Sequence, residues 1–269
     1  MLSLASDNVT CLTADREGTI WVGHFKTGLS YTSDANNIMQ AHAPECGDIL
    51  AMSYDTHGRL WIGTDGDGVY IEGKKTLLPC ITVMALTSDG RGGMWVGTYN
   101  QGLYHMTDER HWKHYSPTDG LLPTEAVWTL ATDDKGDVWM SSSIGNVVVL
   151  HADNGQTSIV TTDNGDDIHG NCLRYDGENT MYAGSVYGLW SINLKSGKKS
   201  VSFGNRKGTQ QWVSQMITDI SVDRQLGLMV LTHPEGVTVF DTKRDTLYFI
   251  HRNDDIIISR SEERFSRNA

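Results

Sequence analysis

Residues able to bind a ligand recur in short variable stretches of the sequence. They mix aromatic rings, amides, carboxylates, imidazoles and a lysine, and they are His24, Lys26, Asp65, Asp67, Tyr99, Asn100, Gln101, Trp128, His169, Asn171, Tyr187, Trp212, His233 and Glu235. Such a mixture suits sugars, because sugar C–H faces stack on aromatic rings while the hydroxyls pair with planar polar groups. It is also typical of any solvated loop surface. We treat these residues as candidate ligand-binding residues and assign no catalytic residue.

Sequence signatures of metal, phosphate or nucleophile chemistry are missing. The ten histidines include no H-E-x-x-H spacing, and no P-loop or G-x-S-x-G occurs. The Gly90–Gly93 run precedes no helix, which favours a turn over a phosphate site. The acidic runs Asp133–Asp137 and Asp163–Asp167 lack the spacing and closing glutamate of a calcium loop. We expect neither a metal nor another cofactor.

Composition restricts the class of protein further. The formal net charge of −11 argues against a nucleic-acid partner. The chain has no apolar run long enough for a membrane helix, so no membrane contact is expected within it, and residues 1–7 do not form a signal peptide. The 28 glycines, 8 tryptophans and 10 tyrosines indicate many short strands separated by tight turns.

The four cysteines do not decide the redox compartment. Cys11, Cys46, Cys80 and Cys172 lie far apart and form no C-x-x-C pair. Buried or loop thiols are the ordinary explanation, and a Cys46–Cys80 disulfide stays open as an alternative.

A repeated pattern carries half of the tryptophans. A D-x-x-G turn precedes a short strand with a central aromatic residue, and a Gly-[LV]-Tyr strand follows, at a spacing of about 40 residues. The equivalent central positions are Trp21, Trp61, Trp95, Trp139, Tyr182 and Met229, and the small residues two positions later are Gly23, Gly63 and Gly97 in the first three units. We assign these residues a structural role: the ring fills the space between blades, and the glycine allows a close approach.

This period predicts an all-β propeller of four-stranded blades, with about six blades in this chain. The predicted blades lie near residues 7–42, 48–77, 81–116, 126–161, 168–203 and 217–250. Residues 251–269 are either the start of a further blade or a tail. A closed ring of six blades is the alternative.

Strand direction within a blade predicts where a ligand would bind. Naming the four strands A to D from the innermost outward, the B–C loops and the D-to-A connections share one face, and the monotonous A–B turns lie on the other. The first face carries the candidate residues and is the expected ligand face. Trp128 and Asn171 lie at the start of strand A, near the channel mouth.

The pattern D-x-x-G-x-[IL]-W-[VI]-G-T-x-x-x-G-[LV]-Y, with an Asp119–Pro123 lead-in, resembles the two-component-regulator propeller repeat. The resemblance covers residues 1 to about 250 and is weaker in the last two units. It implies a fragment of the periplasmic sensor region of a hybrid histidine kinase, of the kind that contains two seven-bladed propellers and a β-sandwich. The six blades would then be part of a seven-bladed ring. It further implies a non-catalytic role, an oligosaccharide or polysaccharide ligand and a homodimeric parent protein.

Two other functions stay open. A propeller lyase or lactonase would use His24, Glu125, His169 and His233 around the channel. A protein-interaction platform would use the wide rigid surface, and its acidic charge would favour a basic partner.

Overall fold

The computed structural model describes residues 8–17, 19–33, 38–42, 48–72, 74–76, 78, 80–142, 145–186, 188–202, 216–234, 236–244 and 246–251. Within them the chain forms six four-stranded antiparallel sheets, each with its strands in sequence order. Strands from neighbouring sheets contact one another in succession along the chain. The predicted all-β propeller with six blades is confirmed.

The first three blades contain twelve strands. Blade 1 comprises β1 Val9–Ala14, β2 Ile20–His24, β3 Gly28–Ser33 and β4 Ile38–His42. Blade 2 comprises β5 Ile49–Tyr54, β6 Leu60–Thr64, β7 Val69–Ile71 and β8 Lys74–Lys75. Blade 3 comprises β9 Val83–Ser88, β10 Met94–Thr98, β11 Leu103–Met106 and β12 Trp112–Tyr115, and a 3-10 turn, Pro117–Asp119, follows it.

The second three blades repeat the arrangement. Blade 4 comprises β13 Val127–Thr132, β14 Val138–Ser142, β15 Val147–Leu150 and β16 Thr157–Ile159. Blade 5 comprises β17 Cys172–Tyr175, β18 Thr180–Ser185, β19 Gly188–Asn193 and β20 Lys199–Ser202. Blade 6 comprises β21 Asp219–Asp223, β22 Leu228–His233, β23 Gly236–Asp241 and β24 Thr246–His251. Residues 252–269, where a further blade or a tail was predicted, lie outside the described residues.

In the A–B turns, the side chain of the first aspartate accepts the backbone hydrogen bonds that hold the turn. In blade 2, Oδ1 of Asp55 accepts hydrogen bonds from the backbone N–H groups of His57 at 2.8 Å and Arg59 at 3.0 Å. Gly58 takes the left-handed conformation that the turn requires, with φ 79°. Asp15, Asp89 and Asp133 make the same bonds to the residues two and four positions later. The repeated Asp therefore sets the turn before each aromatic strand.

The repeated tryptophans pack between blades, as predicted. Trp61 of blade 2 lies in one apolar cluster with Val83 and Val96 of blade 3 and is fully buried. The glycine two residues beyond Trp21, Trp61 and Trp95 allows the next blade to approach closely. A Cβ on Gly97 would lie 2.8 Å from the carbonyl oxygen of Val127, and one on Gly23 would lie 2.9 Å from Cγ2 of Ile49.

The predicted alignment of the sixth repeat is wrong by one residue. His233 pairs with Gly236 as Ser185 pairs with Gly188 in blade 5, so Val230 occupies the position that Tyr182 holds there. Met229 instead faces the preceding blade, in one cluster with Cys172 and other blade 5 residues. Blade 6 has neither the Trp nor the Gly that would have fixed its register in the sequence.

The structure bears on two further predictions, the state of the cysteines and the lack of a membrane helix. Cys80 is an exposed free thiol, Cys11 and Cys172 are free and more enclosed, and Cys46 lies outside the described residues. In the described part of the chain, no helix combines the length and the apolar character needed to cross a bilayer.

Candidate functional site

Backbone hydrogen bonds bring the B–C loop of a blade to the start of its own strand A. Phe25 N donates to Asn8 O at 3.0 Å, and Asp65 N donates to Asp48 O at 2.8 Å. In blade 3 the same contact joins Tyr99 N to Thr82 O, and in blade 5 Asn171 N donates to Gly184 O near the end of β18. The B–C loops and the D-to-A connections therefore share one face, which we call the loop face.

The B–C loops also bind the segment that leads into the next blade. Gly68 N donates to Ile81 O at 3.0 Å, and Gly102 N donates to Glu125 O at 2.6 Å. Between blades 5 and 6, Ile217 N donates to Ser185 O at 3.2 Å. These bonds tie successive blades together and hold the loop face as a rigid platform.

Two predicted loop residues lie inside the blades. His24 and His233 are the last residues of β2 and β22, and their exposed fractions are only 0% and 7%. Nε2 of His24 lies 2.8 Å from Oγ of Ser30, and Nε2 of His233 lies 3.0 Å from Oγ1 of Thr238. The prediction that these histidines line the loop surface is wrong, because each sits at a position that blades 2 and 3 fill with buried Thr64 and Thr98.

The B–C loops of blades 1 to 3 expose most of their other predicted residues. Lys26 is exposed with φ 67°, and Tyr99 has 55% of its surface accessible. Oδ1 of Asp65 accepts a hydrogen bond from Oγ1 of Thr82 at 2.8 Å. Asn100 and Gln101 are exposed beside Tyr99. These side chains are available to solvent along one arc of the loop face.

Asp67 is half-buried and forms an ion pair with Lys75. The Nζ–Oδ1 distance is 3.2 Å, and Nζ also lies 3.5 Å from Sγ of Cys80. The hydrogen bond to Asp67 is the main cause of a raised pKa of the Lys75 ammonium; desolvation opposes it, and the hydrogen bond to Cys80 adds a smaller rise. Lys75 therefore stays charged, and Asp67 is already partnered.

Most of the other candidate residues come after blade 3 in the chain. His169 and Asn171 are exposed on the loop face, and His169 forms a β-bridge with Asn146. Tyr187, Trp212 and Glu235 lie outside the described residues. Glu125 is exposed in the connection between blades 3 and 4. Within the described residues, no group of three or more His, Cys, Asp or Glu side chains could hold a metal ion.

The innermost strands of all six blades line a central channel of about 440 Å³. Hydroxyl groups are frequent in its wall, including those of Thr13, Ser53, Thr87 and Thr129. Trp128, the second residue of β13, lines the channel with 44% of its surface exposed. Of the predicted residues that the structure describes, Trp128 alone joins the channel wall.

The same wall contains a charged pair that was not among the predicted site residues. Arg174 donates from Nε to Ile220 O at 2.8 Å, and its Nη2 lies 4.0 Å from Oδ1 of Asp219. Arg174 pairs with the aromatic residue of strand B in blade 5. In blades 1 to 3 the equivalent position, opposite the Trp, holds Thr13, Ser53 and Thr87. A long charged side chain among small residues was the signal that could have identified it.

Tyr175 also lines the channel, beside Arg174. Burial, and then the hydrogen bond with Asp134, raise the pKa of its phenol to about 12. Tyr175 is therefore a neutral hydrogen-bonding group at physiological pH. The wall thus combines hydroxyls, one exposed indole and one cation–carboxylate pair, which can bind polar ligands with an apolar face.

Comparison with protein families identifies the repeat. The family model described as "Two component regulator propeller" matches residues 3–26 and 45–66, which contain the Trp21 and Trp61 repeats. The resemblance read from the sequence is confirmed for these two repeats. None of the curated proteins compared with it matches.

Solved structures share the fold at low sequence identity. The extracellular domain of BT3049 from B. thetaiotaomicron, described as a hybrid two component system, matches with TM-score 0.77 and 20% identity over 93% of this chain and 35% of its own. That of BT4673 from the same organism, described as a one component system, matches with TM-score 0.70 and 16% identity, covering 90% and 35% of the two chains. The WD40 repeats of RRP9 match with TM-score 0.63 and 13% identity, covering 92% and 82%. The chain thus spans about a third of the length of each of the two extracellular domains.

Proposed function

We propose that this propeller is a non-catalytic, ligand-binding part of the sensor region of a hybrid two-component signalling protein. The confirmed repeats support this proposal, as does the likeness of the fold to extracellular domains of such systems. The histidine kinase would lie in another part of a longer, homodimeric protein, with this propeller in the periplasm. A ligand would act by favouring one arrangement of the sensor over another.

The proposed ligand is an oligosaccharide or polysaccharide fragment, bound where the loop face meets the channel. The observation that carries this proposal is the exposed indole of Trp128 in a channel wall rich in hydroxyl groups. A half-exposed indole offers a flat apolar surface for one face of a sugar ring. The amides of Asn100, Gln101 and Asn171 on the same face can pair with sugar hydroxyls.

Calorimetry with a panel of neutral and acidic oligosaccharides tests this proposal on the whole 269-residue chain. At least one glycan should bind, and Trp128→Ala should weaken it by about tenfold or more, as expected for the loss of an aromatic stacking platform. Trp112→Ala is the matched control, because Trp112 is exposed to a similar extent (37%) on the outer strand β12. Failure of every glycan to bind, or unchanged affinity in Trp128→Ala, would contradict the proposed site.

A further inference from the structure

A cavity of about 280 Å³ lies between blades 3 and 4 on the face opposite the loops, where the A–B turns lie. Blade 3 contributes Trp95 and Tyr115 to its wall, and blade 4 contributes Val138, Leu150 and His151. We call this cavity the turn-face groove. It is separate from the channel and from the residues considered above as ligand-binding.

The groove exists because blade 3 lacks a side chain that blade 2 has. In blade 2, Arg59 binds Asp55 with an Nε–Oδ2 distance of 2.7 Å, and its guanidinium carbon lies 5.8 Å from the centre of the Trp61 ring. Arg59 also donates from Nη2 to Gly92 O of blade 3 at 3.0 Å. Gly93 occupies the equivalent position in blade 3 and accordingly places no side chain over Trp95.

The indole of Trp95 differs from those of its counterparts in its hydrogen bonding. Trp61 and Trp139 donate from Nε1 to the turn aspartates of their own blades, at 2.9 Å and 3.0 Å. In blade 3, Oδ2 of Asp89 instead accepts from Nε2 of His105 at 2.9 Å. The His105 ring stacks on Trp95 with centroids 4.1 Å apart.

In the described part of the chain, no atom accepts a hydrogen bond from Trp95 Nε1. This nitrogen is also not one of the fully buried polar atoms that lack a hydrogen-bond partner. A donor therefore remains available at the groove. A ligand with a suitably placed acceptor could use it.

The charged groups of the groove favour an anion. Arg91 and Lys113 both line it and are exposed, and among the described residues neither has a carboxylate within 4.0 Å. Lys113 Nζ lies 4.5 Å from the centre of the Tyr115 ring. The carboxylate of the lining residue Asp89 is already occupied by the N–H groups of Arg91 and Gly93 and by His105.

We propose that the turn-face groove binds a small organic carboxylate with an aromatic or cyclic apolar body. The body would pack against Tyr115, Val138 and Leu150, and the carboxylate would meet Lys113 and Arg91 through charge-assisted hydrogen bonds. Such a site fits the usual form of small-molecule sites, which are mostly apolar with a few convergent polar groups. This inference does not depend on the proposed sugar site, which lies on the other face.

Benzoate is the probe, and benzamide is its uncharged counterpart of similar shape. The readout is the proton–nitrogen spectrum of the indole N–H groups of the 269-residue chain at low ionic strength, with the Trp95 signal identified by Trp95→Phe. Benzoate should shift the Trp95 signal saturably, with a dissociation constant of about 1 mM for so small a ligand. Benzamide should bind about tenfold more weakly or worse, because it lacks the charge.

Arg91→Gln and Lys113→Gln should each weaken benzoate binding by about fivefold or more. Lys198→Gln, an exposed lysine in the turn after β19, should leave the affinity unchanged. Unfolding midpoints of the three variants, matched to the parent chain, exclude a folding defect as the cause. The proposal is overturned if the Trp95 signal does not shift, if benzamide binds as well as benzoate, or if both groove variants keep full affinity.

Discussion

The indole Nε1 of Trp61 donates a hydrogen bond of 2.9 Å to Oδ2 of Asp55, the residue that opens the turn before its strand. The other oxygen of the same carboxylate holds the turn by accepting two backbone N–H groups. One side chain thus links the turn to the ring that fills the space between blades 2 and 3. Asp133 makes the same link to Trp139 in blade 4.

Asp55→Ala should therefore destabilise the chain strongly. The change leaves the buried Trp61 N–H and the turn N–H groups without acceptors, which should cost about 2–4 kcal/mol of the free energy of unfolding. Urea denaturation followed by tryptophan fluorescence measures this loss. Asp153→Ala, at an exposed position in another turn, should change stability by less than about 0.5 kcal/mol. Equal effects of the two substitutions would contradict the linking role of Asp55.

The same carboxylate should make stability depend on pH. Burial raises the pKa of Asp55, but hydrogen bonds from Trp61, Arg59 and His57 outweigh it and leave the pKa below the ordinary value of 3.8. A depressed pKa contributes stability that is complete above the ordinary value and is lost as pH falls through the folded-state value. The chain should therefore lose stability on acidification below about pH 4.

Asp55→Asn is the variant that tests this pH dependence. It cannot ionise, so it should be less stable than the parent chain at pH 7 and should lose less stability on acidification. Asp15 and Asp89 also have lowered pKa values, so part of the acid sensitivity should persist. The measurement is the urea midpoint of both chains between neutral and acidic pH. Parallel curves for the two chains would show that Asp55 does not contribute.

The repeat made the blades predictable, and its loss explains the error in the sixth. Where Asp, Trp and Gly recur, as in blades 1 to 3, three independent residues fix the turn and the register. Blade 6 has Val230 at the Trp position, and its register follows from the pairing of His233 with Gly236 across a shorter loop. A sequence pattern cannot show such pairing, because an adjacent apolar residue, Met229, fits the aromatic position equally well.

The sites were less predictable than the fold, because they depend on contacts between blades. The predicted sharing of one face by the B–C loops and the D-to-A connections is correct, but His24 and His233 are the last residues of strand B and are buried within their blades. The turn-face groove arises from residues of two blades and from the absence of a side chain at Gly93. The sequence alone does not show that Arg59 covers the Trp61 ring of its own blade, or that Gly93 leaves the equivalent place in blade 3 without a side chain.

Gly97→Ala should disturb the contact between blades 3 and 4. A Cβ at this position would lie 2.8 Å from the backbone carbonyl oxygen of Val127, which cannot rotate away as a side chain could. The blades would have to separate slightly, at a cost of about 2–3 kcal/mol. Ser141→Ala is the matched control, because Ser141 holds the equivalent place in blade 4 and already carries a Cβ.

The control should lose only the hydrogen bond from Ser141 Oγ to Gly170 O, worth about 1 kcal/mol. Urea unfolding of both variants gives the comparison. If Gly97→Ala costs no more than Ser141→Ala, the close approach of the blades does not require glycine.

The cysteines should differ in their reaction with a thiol reagent. Burial raises the pKa of Cys11 to about 11 and that of Cys172 to about 12, so both hold their protons at neutral pH. Cys80 is exposed, next to the ammonium of Lys75 at 3.5 Å. Because the thiolate is the reactive form, N-ethylmaleimide should modify Cys80 in the folded chain and should reach Cys11 and Cys172 only on unfolding. Peptide mass spectrometry after brief labelling at pH 7, with and without urea, measures this order. Labelling of Cys172 as fast as Cys80 in the native chain would show that the contact between blades 5 and 6 opens readily in solution.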